Sequence, residues 1–131
     1  MPRELSRNEK IVLAVLAQAK RPMSAYQILD ADGVREQGVK APLTVYRALG
    51  KLMDAGRVHR IESLNAFVLC EHEPHVEPAA FMICNDCKRT IEVETEGLQT
   101  SLLREAKDQG FKVQRMNIEI SGRCDACEVD D

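Results

Sequence analysis

Four of the five cysteines fall into two C-x-x-C pairs, Cys84-Asn-Asp-Cys87 and Cys124-Asp-Ala-Cys127, with 36 residues between them. This doublet is the strongest constraint on the fold, because one metal ion taking two sulfurs from each turn must bring the C-terminus back against the middle of the chain. Four thiolates around one ion are the usual donor set of a structural zinc site. Buried inert thiols and a dithiol redox switch are the competing readings. An odd cysteine count with C-x-x-C pairing fits metal ligation in a reducing compartment better than a disulfide framework, so the cytoplasm is expected. The short apolar run Ile11 to Ala17 is interrupted upstream by Glu4 and Glu9 and makes a poor signal peptide, and no run approaches membrane-spanning length.

The 131 residues suffice for two small units. Charge divides unevenly between them: residues 1–66 carry 11 Lys and Arg against 7 Asp and Glu, whereas residues 67–131 carry 7 against 14. A basic front half suits a polyanionic partner, although a modest excess is also what a solvated surface has. The capping boxes Ser6-Arg7-Asn8-Glu9 and Ser24-Ala25-Tyr26-Gln27 each open a helix. The first buries Ile11, Val12, Val15, Leu16 and Ala19, and the second ends before Gly33. A third helix runs from Pro42 to a left-handed cap at Gly56, with Val45, Ala48, Leu49 and Leu52 inward. Thr44, Arg47 and Lys51 face outward and Tyr46 lies on the boundary. Two short strands, Arg57 to Ile61 and Ala66 to Cys70, follow around a turn. Three helices and a hairpin describe a winged helix-turn-helix.

Pro74 and Pro78 bracket an acidic segment without apolar periodicity, which predicts a hinge. The expected organisation is a winged-helix domain over 1–70, a hinge over 71–78 and a second domain over 79–131. Within the last, Phe81 to Cys84 and Thr90 to Val93 read as strands, Leu98 to Gln109 as a helix and Phe111 to Ile120 as a longer strand. The predicted fold class is α+β, the second unit having an antiparallel sheet and an exposed edge or face in need of a partner.

Cys70, the remaining thiol, stands near His72, Glu73, His75 and Glu77, with His59 on the neighbouring strand of the hairpin. By residue type it is equally a second metal ligand or a small buried apolar residue. His75-Val76-Glu77 before Cys84 echoes the H-x-E and C-x-x-C of zinc deaminases, but Ile83 replaces the proline before the first cysteine and the second C-x-x-C is left unexplained. A Cys70 and histidine nucleophile pair lacks a visible oxyanion loop, so no enzyme and no small-molecule substrate is expected.

Leu43-Thr44-Val45-Tyr46-Arg47-Ala48-Leu49, Val58-His59, Val68-Leu69-Cys70, Phe81-x-Ile83-Cys84-x-x-Cys87 and Cys124-x-x-Cys127 together resemble the ferric uptake regulator family, over about residues 5–128. The cysteine after the wing resembles the zinc uptake branch. The resemblance implies a dimeric metal-dependent repressor of palindromic operators, with a winged helix and an α/β dimerisation domain, and control of zinc-uptake genes. It assigns Cys84, Cys87, Cys124 and Cys127 to a structural zinc, and His59, Cys70, His75 and Glu92 to a regulatory zinc bridging the domains, two ions per monomer. Tyr46 and Arg47 match recognition-helix residues that reach DNA, and Thr44 and Lys51 share the face of Arg47. The bland reading of Tyr46 is a core flank and that of Lys51 is solubility. Against the pattern the resemblance implies, the sequence begins too late for most of an extra N-terminal helix that members commonly carry, Glu9 stands where a basic residue is often found, and acidic Glu128 to Asp131 stands where a histidine-rich tail is expected. His72 and Glu77 are substitute ligands should His75 or Glu92 point away.

Overall fold

Residues 4–19, 21–70 and 79–127 are described by a computed structural model. The chain separates into two compact units, Met1–Val76 and Glu77–Asp131. The hinge expected over 71–78, with His72, His75 and Glu77, lies outside the described residues, as does the acidic tail 128–131.

In the first unit α1 (Arg7–Ala19), α2 (Ala25–Leu29) and α3 (Pro42–Asp54) precede a hairpin of β1 (Val58–Ile61) and β2 (Ala66–Leu69). The Ser24 capping box is complete, with the Ser24 side chain accepting from Gln27 N–H and the Gln27 side chain accepting from Ser24 N–H. At α1 the Ser6 hydroxyl accepts from Glu9 N–H at 3.2 Å and lies 2.7 Å from the Glu9 carboxylate, to which it donates. Glu9 is thereby buried, a position that a carboxylate tolerates only when hydrogen-bonded. The third helix starts at Pro42, ends at Asp54 and leaves through Gly56 at φ +73°, and its inward stripe is Val45, Ala48, Leu49 and Leu52. Ile11, Val12, Leu16, Ile28, Val58 and Phe67 close the same core.

Two features of this unit are absent from the helical and strand periodicities. Val34 and Val39, in the turns between α2 and α3, are fully buried, and Gly38 at φ +104° makes the reversal between them, a backbone region closed to most residues. Met23 also forms an isolated two-way backbone bridge with Phe67, at 3.0 and 2.8 Å, which ties the connection between α1 and α2 to the two-stranded wing. The turn between β1 and β2 is one 3-10 turn, Glu62–Leu64, ended by Asn65 in the left-handed region.

The second unit contains β3 (Ala79–Cys84), β4 (Thr90–Glu92), α4 (Glu96–Asp108) and β5 (Asn117–Gly122) in the sheet order β4-β3-β5. The expected antiparallel pairing holds between β3 and β4, whereas β5 joins β3 in parallel. Antiparallel β4 returns the chain to the end where β3 starts, and the connection through α4 carries it across to the other edge of β3, so that β5 enters in parallel. The last strand is also shorter and later than the expected Phe111 to Ile120. Gly110 at φ +74° and the bond from Phe111 N–H to Ala106 O at 2.7 Å turn the chain out of α4, and β3 offers six residues, Ala79 to Cys84, for pairing with Asn117 to Gly122. Among the described residues no helix is long and apolar enough to cross a membrane.

Leu49 is fully buried where α3 meets the rest of the first core. Leu49→Ala is therefore expected to cost roughly 2–5 kcal/mol of stability, seen as a lower urea midpoint for the first unit.

Candidate metal centres and nucleic-acid interface

Parallel pairing assembles the tetrathiolate site. Cys84 ends β3 opposite Gly122 of β5, so the chain leaving β5 reaches Cys124 beside the Cys84-to-Cys87 turn. An antiparallel β5 would deliver Cys124 to the other end of the six-residue pairing, about 20 Å away. The four sulfurs lie within 4.8 Å of one another, and Cys87 Sγ and Cys124 Sγ are 3.7 Å apart. A tetrahedral ion with bonds of about 2.3 Å to sulfur needs sulfur–sulfur edges of about 3.8 Å. The donor set therefore fits such an ion. Backbone N–H groups of Cys87 and Cys124 donate to Cys84 Sγ at 3.5 and 3.4 Å, the outer bonds that orient a thiolate ligand.

Proton affinities follow from this geometry. The Cys124 and Cys87 backbone donors pull the Cys84 thiol from its ordinary 9.0 down to about 6. Cys127 moves the other way, to about 12, because hydrogen bonds with Cys87, Cys124 and Cys84 hold its proton among the other sulfurs. At Cys124 desolvation by burial opposes ionisation, yet bonds with Cys127 and Cys87 leave the net shift downward. Without a cation, such a cluster gives up its last proton only far above neutrality.

Two ion pairs clasp the turns reciprocally. Arg123, before the second pair, meets Asp86 inside the first at 2.9 Å; Arg89, after the first pair, meets Asp125 inside the second at 3.2 Å. The aspartates in the variable positions of each C-x-x-C escape a reading by ligand type, and their reciprocal spacing to the arginines is the signal that could have found them.

The first unit carries a second, partial donor set. His59 is buried on β1, and Cys70 follows β2 with its N–H bonded to Arg57 O at 3.0 Å. The imidazole and thiol ligand atoms of His59 and Cys70 lie within 4.8 Å of each other. Glu92 closes β4 of the second unit as a buried carboxylate. His75 lies outside the described residues.

On α3, Arg47 and Lys51 are exposed and Thr44 is half-buried. Tyr46 is exposed on one side and on the other meets Phe67 edge-on, with centroids 6.5 Å apart, so it ties the helix to the wing while remaining accessible. Arg47, Lys51, Thr44, Ser6, Glu9 and Asp54 line a cleft of about 510 Å³ between α1 and α3. Glu9 in its wall marks the departure from a basic residue noted in the sequence.

Winged helix and thiolate-bearing α/β unit together define a class of metal-site regulators, and comparison with known proteins places the chain within it. The ferric uptake regulator family model matches residues 5–121, and the chain belongs to this family. The zinc uptake regulation protein of Escherichia coli K12 is 36% identical over 117 residues, covering 88% of this chain and 68% of that protein. The ferric uptake regulation protein of Yersinia pestis is 35% identical over 94 residues, covering 67% and 60%. Among solved structures, holo XcZur is 39% identical with a TM-score of 0.83, over 96% of this chain and 87% of that one. A zinc uptake regulator complexed with zinc and DNA is 34% identical with a TM-score of 0.84, over 94% and 82%.

Two outcomes are expected at the tetrathiolate site. Zinc uptake by metal-free reduced protein at pH 7 should release fewer than four protons, because Cys84 is already ionised. Affinity should fall with falling pH and do so more steeply below about 6, where Cys84 must also release a proton, both read by calorimetry in buffers of different ionisation enthalpy. The depressed Cys84 value stabilises the metal-free fold above pH 9, an effect lost as pH falls to about 6; the raised Cys127 value acts oppositely, its contribution being lost between 9 and about 12. Second, because the ion pairs are exposed, Arg123→Gln should speed zinc transfer to a chromogenic chelator by no more than about fivefold.

Proposed function

We propose that this protein is a zinc-responsive transcriptional repressor, regulatory rather than catalytic, that binds palindromic operator DNA as a dimer and controls zinc-uptake genes in the cytoplasm. Residues 1–70 form its DNA-binding domain, 71–78 a hinge and 79–131 its dimerisation domain. Each monomer holds two zinc ions, one at Cys84, Cys87, Cys124 and Cys127, the other at His59, Cys70, His75 and Glu92. The observation that carries the reading is the juxtaposed imidazole and thiol of His59 and Cys70 at the wing, in a chain 36% identical to a zinc uptake regulation protein. A thiolate among nitrogen donors favours zinc over the harder ions that oxygen-rich sites select.

Zinc supplies a tetrahedral tie among donors far apart in sequence and offsets the charge of the Cys70 thiolate and the Glu92 carboxylate. His59 and Cys70 hold the wing end of that tie. Arg47, with Thr44, Tyr46 and Lys51, contacts DNA from α3. A two-fold dimer needs its two recognition helices about 34 Å apart to enter successive major grooves, so a chain sampling many separations binds weakly through population alone. The dimer is supported by the apolar surface of the second unit. Met82 stands in register with both Ile91 and Ile120, giving an exposed row across all three strands, and Leu98, Leu102 and Leu103 of α4 are exposed as well. Apolar surface of this extent on a small unit marks an association face.

Cys70→Ser should lose zinc-dependent operator binding in a fluorescence anisotropy titration while keeping the tetrathiolate zinc; unchanged zinc dependence would remove Cys70 from the regulatory site. Arg47→Ala should weaken operator binding at least about fivefold with zinc stoichiometry intact, since a bidentate base contact is worth about 1–3 kcal/mol.

A further inference from the structure

The outward face of α3 has an apolar residue where solvent exposure favours a polar one. At about 100° per residue, the stripe of Val45, Ala48, Leu49 and Leu52 defines the inward direction, and Leu43 lies about 170° from it. Leu43 is 58% exposed although it is the second residue of a helix whose other leucine and valine positions all reach the core. Arg47, four residues on, is its neighbour on the same face. Gly50 continues the stripe, and a Cβ added there would meet nothing within 4 Å, so the missing side chain serves no internal packing. Asp54 ends the stripe, exposed and anionic. The stripe is thus apolar and tall at the helix N-terminal end, cationic in the middle, and acidic at the C-terminal end. Phosphate repulsion at Asp54 disfavours entry of the C-terminal end into a groove, which leaves the end bearing Leu43 and Arg47 to meet base edges, as recognition helices commonly do.

We infer that Leu43 contacts the C5-methyl group of a thymine in the operator major groove and so sets a specificity position beside the one read by Arg47. The inference rests on the repressor reading above. Major-groove chemistry offers an aliphatic side chain one apolar feature, the thymine methyl. Four residues of helix span about 6 Å, close to two base steps, so this thymine lies within about two base pairs of the base that Arg47 contacts. Removing the methyl forfeits the burial of one carbon, about 0.8 kcal/mol or about fourfold in affinity per half-site.

The test uses full-length zinc-loaded protein and an operator selected by it from a random DNA pool, with each thymine of a half-site replaced in turn by uracil, which lacks only the methyl. One replacement should weaken wild-type binding about fourfold, leave Leu43→Ala binding unchanged relative to that variant's affinity for the thymine operator, and lie within two base pairs of the position whose sensitivity Arg47→Ala abolishes. Leu43→Met should restore the methyl dependence in part. Equal methyl sensitivity in wild type and Leu43→Ala, insensitivity of wild type to every replacement, or an equal loss by Leu43→Ala on thymine and uracil operators would overturn the inference alone. Failure to select any DNA in a zinc-dependent way would instead overturn the repressor reading, and this inference with it.

Discussion

Mutual repulsion among four thiolates is the interaction on which the second unit turns. The backbone places the sulfurs within 4.8 Å of one another, a separation at which they cannot all ionise near neutrality without a cation between them. Within the cluster, backbone N–H donors from Cys124 and Cys87 take the Cys84 thiol down to about 6, while hydrogen bonds with Cys87, Cys124 and Cys84 take Cys127 up to about 12. A divalent ion held by the four sulfurs would offset that repulsion and tie the chain after β5 to the end of β3. A unit this small has little core of its own, and its buried apolar residues are confined to Ala79, Ala80, Phe81, Ile83 and Cys84 among the described ones. Small domains of this kind commonly depend on a metal or on association, and this one exposes an apolar row through Met82, Ile91 and Ile120.

The first unit follows a different economy. Its helices and wing share a continuous apolar core from Ile11 to Phe67, so its stability comes from packing. That leaves the outward side of α3 free for chemistry: Arg47 and Lys51 project into solvent, and Tyr46 is braced against Phe67. Glu9, buried at the cleft beside them, brings a carboxylate of the α1 cap to the same surface. Its hydrogen bond with Ser6 keeps a carboxylate in the wall of a cleft whose opposite wall bears Arg47 and Lys51.

Patterns with a fixed period or a fixed local spacing are legible in the amino-acid sequence itself. The inward stripe of α3, the capping residues Ser6 and Ser24, the hairpin and both C-x-x-C turns follow from local geometry, because each is decided by residues a few positions apart. Val34 and Val39 are not legible in that way, since they are buried by turns that have no period. Nor is the true extent of β5, which its partner sets: β3 has six residues to offer, and Gly110 takes the chain out of α4 before any pairing begins.

By itself, then, the sequence determined the element types, the core face of the recognition helix and the four thiols available to a metal. Tertiary structure alone decided that β5 runs parallel to β3, which brings Cys124 to Cys84 instead of to the far end of the sheet, and that Asp86 and Asp125 face the arginines of the opposite turn. The reason is common to both: strand direction and ion pairing between distant turns depend on where separate segments meet, and no local period encodes that.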